Sequence, residues 1–214
     1  NHVSYGEGYS DSDVAQALGQ AEMTFTTCAN DDALIAETSR LLESGEVVGW
    51  FQGRFEWGPR SLGSRSILAD PRQSEMRDRV NAKVKFREPF RPFAPSILES
   101  RTAEMFDSDP AVDQEPGRFM LLVADVSEDS RVKIPAATHV DGTARFQAVS
   151  SDTTPLFHSL IDSFGQVTGT PALLNTSFNV RGEPIVASPQ DAIHTFCRSG
   201  LDTLVIGHHV VRKG

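Results

Sequence analysis

The chain has 214 residues, 39% of them hydrophobic and 23% charged, and no apolar run near the roughly 18 residues a membrane span needs. That excludes a disulfide mini-protein, wholesale disorder and a spanning helix. A net charge of −9 argues against a general binder of nucleic acid or anionic membranes, yet half of the 20 cations fall between Arg54 and Arg91, where only five acids accompany them. Such segregation points to an anionic small ligand. The two cysteines, Cys28 and Cys197, fit no metal spacing and favour a reduced, cytoplasmic setting.

The stretch from Asn1 to Ser12 lacks an initiator Met and is rich in Gly, Ser and Tyr, so residues 1–29 are expected to be a linker or the tail of something upstream. Asp11 or Ser12 is a plausible cap for a short helix over Asp13 to Gly19, followed by a brief strand at Thr24 to Thr26. Asn30 caps a better helix, Asp31 to Ser44, whose Ala33, Leu34, Ala36, Leu41 and Leu42 lie near 3.6-residue periodicity. Gly45 ends it, Val47 to Gln52 follows as a buried strand, and Gly53 opens a long loop. Helix, glycine, apolar strand is an α/β pattern.

Ser74 to Lys83 reads as a charged helix, and Pro89, Pro92 and Pro95 then impose an extended run ending at Ser96, Ile97 and Leu98. Strands are expected at Phe119 to Val126 and Ala144 to Val149, with loops at Pro110 to Gly117 and Pro135 to Thr143. The remainder reads as helix Pro155 to Phe164, strand Pro171 to Leu174, helix Pro189 to Ser199 and strand Thr203 to Ile206.

Three segments could carry chemistry. GRFEWGPRSLGSRSILADPR, residues 53 to 72, combines glycines, prolines and arginines, and guanidinium forks in a Gly-rich loop can grip phosphate while backbone N–H groups approach closely. A solvated charged loop is the bland alternative. In NAKVKFREPFRPFAPS, residues 81 to 96, Lys83, Lys85 and Arg87 alternate as in a strand, so one face would carry three cations unless an anion separates them; a lysine-protected edge strand is the alternative. The words THVDGTARFQ and LLNTSFNVRGEP add Arg145, and Asn175, Thr176, Ser177 and Asn179 after a buried strand, a pattern that serves either a ligand-binding turn or an ordinary one.

Lys85-Phe86-Arg87 and Ser177-Phe178-Asn179 resemble the K-x-R and S-x-N signatures of YrdC-like nucleotide-binding domains. Together with the longer words around them, in the same order, they resemble the C-terminal domain of the O-carbamoyltransferases of nodulation-factor and antibiotic biosynthesis, over most of residues 30 to 210. The resemblance implies an α/β (α+β) fold with a twisted mixed β-sheet, flanked by helices, whose concave basic face binds ATP and carbamoyl phosphate and makes carbamoyl-adenylate. Residues 30–214 would form that domain. Arg60, Lys85, Arg91 and Arg145 would grip the carbamoyl phosphate or polyphosphate, with Arg87, Ser177, Asn179, Asn175 and either Lys83 or Lys85 toward the nucleotide. Lys85 fits the K-x-R word; spacing alone leaves Lys83 open.

Mg²⁺ is expected on the triphosphate. Iron or another metal is expected only in a separate N-terminal actin-like domain that completes transfer to a hydroxyl and is the expected partner; a homo-oligomer is left open, and neither nucleic acid nor membrane is expected. The rival readings are a threonylcarbamoyl-adenylate synthase of the same fold and a non-catalytic nucleotide-binding module. His139, beside Asp141, is either an acid or base at the reacting phosphate or a loop histidine fixing a backbone carbonyl. His208 and His209, adjacent in sequence, make a poor chelating pair because strand neighbours face opposite ways, and Cys197 reads as core packing.

Overall fold

The computed structural model describes residues 3–86, 91–107 and 115–213. Ten strands are described among them: β1 (Thr26–Thr27), β2 (Val48–Phe51), β3 (Arg65–Ala69), β4 (Ala94–Leu98), β5 (Val123–Asp125), β6 (Thr143–Arg145), β7 (Gln147–Val149), β8 (Ala172–Ser177), β9 (Thr203–Ile206) and β10 (His209–Arg212). Eight form one mixed sheet in the order β1-β10-β9-β2-β3-β8-β4-β7, with β2/β9 and β4/β7 parallel and the other pairs antiparallel; β5 and β6 form a separate ribbon.

Both faces of the sheet are covered, which is why its central strands are apolar throughout rather than alternating with polar residues. On one face Val48, Trp50, Leu68, Leu173 and Val205 pack against α2 (Asp31–Glu43) and α6 (Pro155–Thr168), which contribute Leu34, Leu41, Leu42, Phe157, Leu160 and Phe164. On the other, Phe51, Ile67, Leu204 and Ile206 meet α1 (Asp11–Gln20) through Val14 and Leu18, and α7 (Pro189–Arg198) through Ile193 and Phe196. Each such fully buried side chain contributes about 1.5–3 kcal/mol of transfer free energy. Helix starts follow from their caps: Asn30 Oδ1 accepts from Ala33 N at 2.9 Å, and Ser10 with Asp13 and Ser188 with Asp191 form capping boxes. Among the described residues no helix is long and apolar enough to cross a membrane.

Several local expectations are corrected. The alternation of Lys83 and Lys85 is not a strand: the chain continues from α3 (Glu75–Val80) into a π-helical turn, Asn81–Lys85, closed by Phe86 at φ 45°. Residues two apart on a helical turn point to roughly opposite sides, so the two lysines part company. Arg87 lies outside the described residues. β3 occupies the middle of the segment read as one long loop. Ala144 to Val149 splits at Phe146, β6 pairing with β5 and β7 with β4. The strand expected at Phe119 to Val126 shortens to Val123–Asp125, and α4 (Thr102–Met105) and α5 (Glu128–Lys133) were not foreseen. Cys197 is exposed, because α7 buries Ile193 and Phe196 and the next residue turns about 100° away from that face. Residues 3–27, read from sequence as a tail, run along the same body, with α1 seated in its core and β1 paired to β10.

Candidate active site

β8 runs antiparallel to both β3 and β4, so its last residues sit beside the first residues of those strands at one end of the sheet. A cavity of about 270 Å³ opens there, lined by Asn175, Thr176 and Ser177 from β8, Ala94 from β4, Arg60 and Ser61 from the loop before β3, Arg91 from the approach to β4, and Arg145 from the end of β6.

The loop before β3 is built around a buried carboxylate. Glu56 Oε1 accepts from Leu62 N at 2.7 Å and Ser64 N at 2.8 Å, and Oε2 from Arg65 N at 3.1 Å. Burial pushes this carboxyl up, against the pull of those N–H donors and of Arg65. Gly63, at φ 113°, passes so close to Phe157 that a Cβ would lie 2.3 Å from the ring, and its carbonyl accepts from Trp50 Nε1 at 2.8 Å.

This scaffold sorts the arginines of the 53–72 segment. Arg54 donates to Gly6 O at 2.8 Å, Arg72 pairs with Asp70 at 2.7 Å, and Arg65 is fully buried, stacked 3.6 Å over Phe51 and donating to Gln52 O at 2.6 Å. Burial lowers the Arg65 pKa to about 10. Arg60 is the member of the four that lines the cavity.

Arg60, Arg91 and Arg145 converge there, and none forms an ion pair among the described residues. Burial lowers the Arg145 pKa, and Arg60 and then Arg91 lower it further by repulsion. Three guanidinium groups held together with no carboxylate partner among the described residues cost free energy, and an anion relieves that cost. Polar atoms in and beside the cavity are also unsatisfied: Ser61 Oγ, Asn175 Oδ1 and the Nε atoms of Arg60 and Arg145 are buried with no hydrogen-bond partner among the described residues.

Asn175 is 2% exposed and anchored from behind. Its Nδ2 donates to Ser96 Oγ at 2.9 Å, which donates to Gln147 Oε1 at 2.7 Å; Gln147 Nε2 then donates to Leu62 O at 2.7 Å. This buried chain ties β8, β4 and β7 to the Arg60 loop.

The lysine of the K-x-R word also meets the S-x-N word. Lys85 is buried, and its Nζ donates to Asn179 Oδ1 at 2.8 Å, Asn179 O at 2.9 Å, Ser177 O at 2.5 Å and Ser177 Oγ at 3.2 Å. Ser177 Oγ in turn donates to Asn179 Oδ1 at 2.6 Å. Ser177 therefore borders both the lysine cluster and the arginine cavity. Lys83 points away and pairs with Asp202. Geometry thus brings together Arg60, Arg91, Arg145, Asn175 and Ser177 around one cavity, joins Lys85 and Asn179 to its edge, and separates Lys83 from it. Ser61, Glu56 and the Ser96–Gln147 pair were not anticipated; a lone Glu in a Gly-Arg loop and polar residues at buried strand positions were their signals.

His208 is an ion-pair residue: Nδ1 lies 2.6 Å from Asp11 and Nε2 2.8 Å from Asp31, while His209 Nδ1 lies 3.0 Å from Thr27 Oγ1. No cluster of three or more His, Cys, Asp or Glu suited to a metal occurs among the described residues. Among the described residues the cavity lining carries no carboxylate.

The domain is thus a mixed sheet with helices on both faces and an arginine-lined cavity at one end. The family profile described as "Carbamoyltransferase C-terminus" matches residues 39–213, and the chain belongs to that family. It is 50% identical over 182 residues to nodulation protein NolO of Bradyrhizobium diazoefficiens, covering 85% of this chain and 33% of NolO. It is 39% identical over 178 residues to the 3'-hydroxymethylcephem-O-carbamoyltransferase of Streptomyces clavuligerus, covering 83% of this chain and 33% of that enzyme. The chain thus spans about a third of the length of these relatives. Among solved structures it is similar in fold to full-length HypF in its phosphate- and nucleotide-bound form (TM-score 0.55, 15% identity, 86% of this chain and 22% of that one). It is likewise similar to a P. abyssi Sua5 variant (TM-score 0.53, 14% identity, 83% and 51%). The expected YrdC-like α/β fold and the carbamoyltransferase kinship both hold, and the chain is a domain of an enzyme family.

Proposed function

We propose that this domain activates carbamoyl phosphate with Mg²⁺-ATP, forming carbamoyl-adenylate for transfer to a hydroxyl elsewhere in a longer O-carbamoyltransferase. The observation that carries the reading is the convergence of Arg60, Arg91 and Arg145 on one cavity without a carboxylate partner among the described residues. Water cleaves carbamoyl phosphate into carbamate and inorganic phosphate. A carbamate oxygen then forms a bond to the α-phosphorus of ATP as the bond to the β,γ-pyrophosphate breaks. Both nucleophile and target are anionic, so preorganised cations oppose the repulsion that grows toward the transition state.

In this reading the three arginines hold the carbamoyl phosphate, and Asn175 Oδ1 and Ser61 Oγ offer oxygen atoms to its amide hydrogens. Lys85 fixes the Ser177–Asn179 turn and brings a positive charge to the α-phosphate. Arg87 stays with the nucleotide by its place in the K-x-R word. The chemistry belongs in the cytoplasm, where ATP is supplied.

Carbamoyl-phosphate-dependent exchange of labelled pyrophosphate into ATP tests this. Exchange that appears with carbamoyl phosphate and disappears in Arg145→Gln supports it. Exchange supported by threonine and bicarbonate instead would make the domain a threonylcarbamoyl-adenylate synthase, and nucleotide binding without exchange would make it a non-catalytic module.

A further inference from the structure

The Asp141–Thr143–His139 chain beside the cavity has no role in the scheme above. Thr143 Oγ1 donates its proton to Asp141 Oδ1 at 2.8 Å, and Asp141 also accepts Thr143 N at 3.0 Å. With its proton committed, Thr143 Oγ1 can only accept from His139 Nδ1, 2.9 Å away. His139 is therefore the Nδ1–H tautomer, and its other nitrogen, Nε2, carries a lone pair. That nitrogen is buried with no partner among the described residues.

The complementary orphan is close at hand. Thr143 and Arg145 are two residues apart on β6 and share a face, so the ring held on Thr143 lies on the Arg145 side of the ribbon. His139, Arg145 and Arg91 line a second cavity of about 240 Å³ that shares the Arg91–Arg145 wall with the first. Among the described residues Arg145 Nε, a donor, is buried without a partner, as is His139 Nε2, an acceptor. We propose that His139 is a positioning residue for Arg145: its Nε2 lone pair takes the Arg145 Nε–H when the guanidinium turns its terminal nitrogens onto an anion in the cleft.

The inference rests on the reading of that cleft as an anion site, but not on the adenylation step. The charged groups around His139 agree with a neutral ring: Arg145 on β6, Arg91 across the cavity and Arg131 of α5 beside Gly142, with Asp141 as the opposing charge. Burial, with Arg145 adding to it, holds the imidazole pKa below its ordinary value.

The test is calorimetry with inorganic phosphate on this chain and its variants. His139→Phe, which keeps the ring's bulk without the acceptor, is expected to weaken phosphate binding about tenfold, and His139→Gln to restore most of the loss. In an Arg145→Met background His139→Phe should cost nothing further. With sulfate, whose charge does not change in this range, wild-type affinity should fall as the pH is lowered through the imidazole titration, and His139→Gln should stay flat. Equal losses from His139→Phe with and without Arg145 overturn the proposal. Should His139→Phe fail to fold, the ¹⁵N shifts of the wild-type imidazole decide: a protonated Nε2 contradicts it. Phosphate binding without adenylate formation leaves this inference standing and removes the proposed reaction, whereas failure of the wild-type chain to bind phosphate removes both.

Discussion

Lys85 Nζ donates to Asn179 Oδ1 at 2.8 Å, joining two motifs 94 residues apart in the chain. The lysine sits on a π-helical turn and the asparagine just past the end of β8, so neither motif forms the cluster alone. Lys85→Met should abolish pyrophosphate exchange and, by leaving the half-buried oxygens of Ser177 and Asn179 without their donor, destabilise the fold by about 1–3 kcal/mol. Lys83→Met breaks only the Asp202 pair and should leave exchange near the wild-type rate; denaturant unfolding and exchange assays on both variants check the contrast.

Removing a cationic member of the cavity should separate function from stability. Arg145→Gln relieves the repulsion from Arg60 and Arg91, so the ligand-free variant is expected to melt no lower than wild type, while phosphate affinity falls about 10- to 100-fold. Thermal melts with and without phosphate show it: wild type gains stability from the ligand and the variant gains little.

The carboxylate of Glu56 organises the Arg60 loop without lining the arginine cavity. Glu56→Gln leaves one of its two oxygens as an N–H donor facing backbone N–H groups, which should cost about 1–3 kcal/mol and lower phosphate affinity through the loop. A normal affinity alongside the lost stability would show that the loop does not need this anchor to place Arg60.

His208 ties the β9–β10 turn to the starts of α1 and α2 through Asp11 and Asp31. The hydrogen bond it donates to the Asp11 carboxylate raises its pKa above the ordinary 6.5, with burial opposing and Asp31 adding to the rise. A raised folded-state pKa contributes stability that is fully present below the unfolded value and is lost as pH rises through the folded one. Asp11 is lowered: burial opposes, but the bonds from His208 prevail, so its contribution is present above the ordinary 3.8 and lost as pH falls through its folded value. Wild-type stability should therefore exceed that of His208→Gln most between those two limits, and the gap should close toward alkaline pH. Urea unfolding across the pH range measures it.

Strand and helix positions were legible wherever burial and periodicity agreed, as at Asp31 to Glu43 with its Asn30 cap and at Thr203 to Ile206. The arginines and the Lys85 motif were legible as words, and β8 explains why Asn175 and Ser177 belong with them. What could not be read was which cation faces which partner. A two-residue spacing is the same text in a strand and in a π-turn, and only the second sends Lys83 to Asp202 and Lys85 to Ser177. Likewise Arg60 and Arg65 stand five residues apart in one Gly-rich word, yet one lines the cavity and the other is sealed over Phe51. The difference is set by Glu56 and by pairing with strands far away in sequence, which no local pattern encodes.

The most direct measurement is a ³¹P NMR time course of this chain with Mg²⁺, ATP and carbamoyl phosphate, run beside Lys85→Met. The account predicts growth of pyrophosphate together with an adenylate or AMP signal in the wild type and neither in the variant. Unchanged ATP in a folded wild-type chain that binds both ligands would contradict it.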